Sequence, residues 1–126
     1  MQHLMIQKHD ENEILEQKCK LLLNENGVRF AGILSNMGRQ IAGGYKEGIV
    51  PLVDHEDHKM CLEHALGILL TKDLDESLGS IDYLIAKRKK VIMITIPMQK
   101  YAVLISAELD ANIEKIITNA TKLLPH

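Results

Sequence analysis

Three segments of this chain, Val28–Asn36 (VRFAGILSN), Val91–Ile96 and Tyr101–Ala107, are apolar at both alternating sets of positions. A strand with one face in water alternates apolar and polar residues, so a strand that is apolar on both faces has to be covered on both. In the first segment Phe30 and Leu34 fall on one face and Ala31 and Ile33 on the other. Two weaker runs read as edge strands. RQIAGGY carries Gly43 and Gly44, which cost strand stability, and Ile81, Tyr83 and Ile85 alternate with Asp82 and Ala86. Asn36-Met37-Gly38 and Pro97-Met98-Gln99-Lys100 are the turns between neighbouring strands, and Lys87-Arg88-Lys89-Lys90 is a basic hairpin tip.

Helical periodicity fills the remainder. Asp10, with Glu13 in capping-box position, starts a helix whose apolar positions are Ile14, Leu15, Cys19, Leu22 and Leu23, and Asn24, Asn26 and Gly27 stop it. Asp54 and Asp57 are the candidate caps of a second helix with the stripe Leu62, Ala65, Leu66 and Leu69, which ends in the polar stretch Thr71–Ser80. Asp110 caps a last helix that buries Ile113, Ile116, Ile117, Ala120, Leu123 and Leu124. The order is α-β-β-α-β-β-β-α. Placing the three doubly apolar strands centrally predicts an α/β (α+β) fold, a five-stranded, mostly antiparallel sheet in the order 2-1-5-4-3 with helices on both faces.

With 126 residues the chain has room for one core, and residues 1–9 read as a tail ahead of a single domain over 10–126. A net charge of −2 offers no electrostatic pull toward nucleic acid or an anionic membrane. Aromatic residues are 3% of the chain, Phe30, Tyr45, Tyr83 and Tyr101 with no Trp, too few for a base-stacking platform or a sugar cleft. Of these rings the edge-strand pair Tyr45 and Tyr83 is the better placed to anchor a partner. Two cysteines make no disulfide framework, and the start of the chain lacks the pattern of a signal peptide, so a reducing cytoplasm is the expected home.

The segment from His55 to His64 gathers imidazole, carboxylate and thiol within ten residues, ligand types suited to a transition metal. His55, His58 and Cys61 are its weak metal candidates. On a straight helix the three histidines do not converge, and the spacing matches no zinc signature. No metal or other cofactor is therefore expected. Gly38, Gly43, Gly44 and Gly48 lie between strands without the Lys-Ser/Thr of a phosphate loop, so they read as turn and edge glycines. Cys19 and Cys61 fall on or beside buried helix stripes, and no GxSxG elbow or paired carboxylate stands out. No catalytic residue is assigned, and the chain is not read as an enzyme.

The element order, with FAGILSNMGRQIAGG as a first hairpin and LISAELDANIEKI as a last strand entering a last helix, resembles the roadblock family. These are profilin-like α/β domains found in dynein light chains, in Ragulator-type scaffolds and in bacterial regulators of small GTPases. FAGILSNMGRQIAGGYKEG and DESLGSIDYLIA also resemble small archaeal proteins of unknown function. The roadblock resemblance implies a non-catalytic scaffold or regulatory module that dimerises through its second helix and third strand and takes a small GTPase or another protein as partner. Its interface here comprises Lys59, Glu63, Leu66 and Leu70 with Tyr83 and Ile85. The connection 46–58, charged and rich in histidine, departs from the compact family pattern. It leaves a second reading, a small-molecule or metal-ion sensor that uses the region 43–64.

Overall fold

The computed structural model describes residues 2–53 and 56–124, with side chains from Glu11 onward. Helix α1 (Gln2–Leu23) leads into the hairpin β1 (Val28–Ser35) and β2 (Gln40–Tyr45). Helix α2 (Asp57–Leu70) follows, then a 3-10 turn (Lys72–Leu74) and the one-turn α3 (Asp75–Leu78). The meander β3 (Leu84–Lys87), β4 (Ile92–Pro97) and β5 (Tyr101–Ala107) precedes α4 (Ile113–Leu123). The sheet runs β2-β1-β5-β4-β3 with every neighbouring pair antiparallel, the order expected from the doubly apolar strands.

Each central strand feeds two cores, as its alternation requires. On one face, Ala31 and Ile33 of β1 pack with Ile94, Val103 and Ile105 beneath Leu15, Cys19 and Leu22 of α1 and Ile116 and Ala120 of α4. On the other, Phe30, Leu34, Met93 and Leu104 meet Cys61 and Ala65 of α2. Val28 joins the first core although it shares the parity of Phe30, because a bulge between them shifts the β1–β5 register.

Several expected boundaries move, each for a local reason. The first helix starts at Gln2, so Asp10 lies inside it and the stretch 2–9 is helical. No Gly or Pro precedes Gly27, and nothing in that stretch breaks a helix. Strand β3 begins at Leu84, leaving Ile81 and Tyr83 outside it. Continued backward from the Leu84–Thr95 pair, it would lie opposite Ile96 and Pro97, and Pro97 has no N–H to give the ladder. Helix α2 has Glu56 at its N-cap without a side-chain bond, and Asp57 is its first residue. Asp54 lies outside the described residues. The cap of α4 is Asn112, whose side chain accepts from the Lys115 N–H at 3.2 Å, so Asp110 belongs to the preceding turn.

The largest correction concerns α2. Its buried residues are Cys61 and Ala65, while Leu62, Leu66 and Leu69 of the expected buried stripe are exposed. The small side chains let the helix settle closely on the sheet. Gly38 fixes its height from the other side: the glycine has φ +81°, and a Cβ there would stand 2.7 Å from the Leu62 Cα. No helix among the described residues is long and apolar enough to cross a membrane.

Candidate functional site

Rotating α2 onto its small residues turns its leucines outward. Leu66 is 40% exposed and Leu70 76%, and the apolar positions continue through Leu74 to Leu78 at 77%. Beside them lies β3, whose outer edge pairs with no described strand. The second half of α2 approaches it, since a Cβ on Gly67 would touch Leu84 at 3.9 Å. An exposed apolar helix face next to an unpaired strand edge is the usual composition of a protein interface.

All six residues expected at an interface are exposed. Lys59, Glu63, Leu66 and Leu70 lie on α2. Ile85 pairs with Ile94, on the α1/α4 face of the sheet, whereas Leu84 pairs with Thr95 on the α2 face. The six therefore bracket the β3 edge from both sides of the sheet. Tyr83 precedes the strand. Tyr45, the other expected anchor, is turned inward: its ring meets Phe30 edge-on at 5.0 Å and its hydroxyl donates to Asp57 Oδ1 at 3.0 Å. Burial, with the Asp57 carboxylate second, pushes the Tyr45 phenol up to about 12.

A cleft of about 530 Å³ opens between α2, the connection after β2 and the β3–β4 tip. Its floor is Met93 and Ser106, its α2 wall carries Met60 and His64, and Leu52 and Val53 line the connection side. The basic residues Arg88, Lys89 and Lys90 border it, in a tip closed by the Arg88 N–H donating to the Val91 carbonyl at 2.9 Å. Arg29, at the base of β1, is ion-paired with Glu108 at 2.9 Å and donates to the Val50 carbonyl at 3.0 Å, tying the connection to the sheet. His64 Nδ1 donates to the Met60 carbonyl at 2.8 Å, which leaves Nε2 as the ring's acceptor in the neutral form.

The expected metal candidates do not converge. His58 is exposed, Cys61 is sealed in the α2 core, His55 lies outside the described residues, and no group of three metal-ligating side chains occurs among those described. Burial, then the Asp57 charge, pushes the Cys61 thiol up to about 11, and burial pushes Cys19 to about 12. Neither is a thiolate nucleophile near neutral pH. Much of the cleft lining, from Tyr45 through His64, falls in the region 43–64 of the sensor reading, and two signals outside that region were also legible. Arg29 is a charge in a doubly apolar strand, and Ser106 is a hydroxyl in another.

The fold is that of the roadblock domain. A Roadblock/LC7 domain from Streptomyces avermitilis superposes with a TM-score of 0.70 at 12% identity over 86% of this chain and 90% of that one. The gliding protein MglB from Thermus thermophilus gives 0.75 at 14% identity, over 88% and 83%. An MglB structure with a tetrameric arrangement gives 0.72 at 15% identity, over 88% and 79%. No curated protein matches the sequence. The family profile that does match covers residues 8–124, and the chain belongs to that family, a family of unknown function (DUF6659).

Proposed function

We propose that this protein is a non-catalytic, cytoplasmic interaction module that pairs with a second copy through α2 and β3 and offers the paired domains to a protein partner. The observation that carries this reading is the outward face of α2, where Leu66 and Leu70 are exposed beside a strand edge that pairs with no described strand. Two copies related by a two-fold axis would cover both at once, joining two five-stranded sheets edge to edge. Lys59, Glu63, Leu66 and Leu70 form the helix side of that contact, and Tyr83 and Ile85 flank the strand side. The roadblock fold supports it, as does the tetrameric arrangement of one structural neighbour. The partner we assign is a small GTPase, following the family resemblance.

Sedimentation of the purified chain tests the pairing. The wild type is expected to run as a dimer at micromolar concentration, and Leu66→Glu/Leu70→Glu as a folded monomer with an unchanged circular dichroism spectrum. A monomeric wild type, or a double variant that stays dimeric, sinks the reading. For the partner, capture of a small GTPase from extract should depend on added GTP and disappear with the double variant.

A further inference from the structure

The cleft between α2 and the β3–β4 tip shares Lys59 and Glu63 with the proposed subunit contact, and the rest of its lining carries a chemistry of its own. Its volume of about 530 Å³ is that of a small-molecule site. Met93 of β4 and Val91 just ahead of it, both buried, form an aliphatic floor with Met60 across from them. Flexible thioethers adapt readily to an unbranched aliphatic body. Tyr45, also in the lining, is held edge-on to Phe30 and donates its hydroxyl to Asp57. The rim is cationic. Lys59, Arg88, Lys89 and Lys90 make no ion pair with any described residue, against the carboxylates Glu56 and Glu63, while Arg29 is already neutralised by Glu108.

One polar group in the floor has no counterpart in the protein. Ser106 is 6% exposed, sits between Phe30 and Met93 in the sheet, and lines the cleft. Its hydroxyl has no hydrogen-bond partner among the described residues, yet it is not sealed from the cleft. A hydroxyl so placed donates to whatever acceptor enters. An aliphatic floor, an unused donor and a surplus of unpaired cations at the mouth together select an acceptor of negative charge on an apolar body.

We propose that this cleft binds a small amphipathic carboxylate, its aliphatic part on Met60, Val91 and Met93 and its charged end between Ser106 and the basic tip Arg88-Lys89-Lys90. All of these residues belong to one chain, so the site goes beyond the pairing reading and does not rest on it.

The test titrates decanoate, below its micelle concentration, into protein carrying 13C-methyl methionine. The Met60 and Met93 signals should shift together and saturate at one ligand per chain, while Met37, 79% exposed on the β1–β2 turn, stays in place. Reversing the tip with Arg88→Glu/Lys89→Glu/Lys90→Glu, all exposed positions, should weaken decanoate about tenfold, the sum of a few surface ion contacts. Decanol should bind both proteins equally, and Ser106→Ala should weaken decanoate in its own right. The Leu66→Glu/Leu70→Glu variant should bind decanoate as the wild type does, which separates this site from the subunit contact. Absence of a saturable shift at Met60 and Met93, indifference to the tip reversal, equal binding of decyltrimethylammonium, or loss of binding in the Leu66→Glu/Leu70→Glu variant would overturn the proposal.

Discussion

Gly43 and Gly44 are adjacent and look interchangeable in sequence, yet their backbones are not. Gly43 has φ +91°, and a Cβ there would lie 2.0 Å from the Ala31 carbonyl oxygen, which cannot retreat because it belongs to the central strand β1. A Cβ on Gly44 meets nothing within 4 Å. Gly43→Ala should therefore cost at least about 2–3 kcal/mol, from a forbidden backbone region compounded by a clash. Gly44→Ala should change stability by less than about 1 kcal/mol in either direction. Urea unfolding of the two variants decides it, and equal losses would show that β2 is not held against β1 in this register. The same limit on legibility applies to Tyr45 and Ser106. Residue type says that each can donate or accept, whereas its partner, or the lack of one, is settled by tertiary neighbours distant in the chain.

At the scale of elements, the strands were legible because a doubly covered strand has only one kind of place in a sheet. Phe30 and Leu34 went to one core and Ala31 and Ile33 to the other, as alternation requires. Helix α2 was less legible. Periodicity locates a stripe of leucines, but it cannot say whether the sheet takes that stripe or the small residues beside it. The sheet took Cys61 and Ala65, and the leucines became available for contact outside the chain. This assignment reverses the ordinary expectation for substitutions. Ala65→Leu should overpack the helix against Phe30 and Leu34 and cost about 1–3 kcal/mol. Leu69→Ala should cost the monomer about 1 kcal/mol, well short of a buried leucine, because that side chain is 51% exposed within one chain. Both Ala65→Leu and Leu69→Ala are read from denaturant midpoints in the Leu66→Glu/Leu70→Glu monomeric background, which leaves positions 65 and 69 unchanged. A Leu69→Ala loss of more than about 2 kcal/mol, that of a buried leucine, would return the helix to the orientation expected from its stripe.

Across the whole molecule, the two faces of the sheet are unequally held. The α1/α4 face carries a continuous core drawn from two helices and four strands, while the α2 face rests on a smaller cluster beside an open cleft. Stability is distributed with buried apolar contact, so α2 should open in excursions that leave the sheet, α1 and α4 intact. Each face holds one cysteine as a reporter: Cys61 under α2 and Cys19 under α1, both free and buried. Burial raises both thiols well above the usual 9.0, to about 11 and about 12, so in the closed state neither supplies much thiolate at pH 8 and reaction requires opening. A thiol reagent at pH 8 should accordingly label Cys61 by way of local opening at least about tenfold faster than Cys19, which waits for a larger unfolding. Mass spectrometry of labelled peptides gives the ratio directly. Because a second copy on Leu66 and Leu70 would hold α2 down, raising the protein concentration should slow Cys61 and leave Cys19 unchanged. Equal labelling rates would mean that the two faces open together. A Cys61 rate independent of concentration would mean that the surface joining two copies lies elsewhere than on this helix.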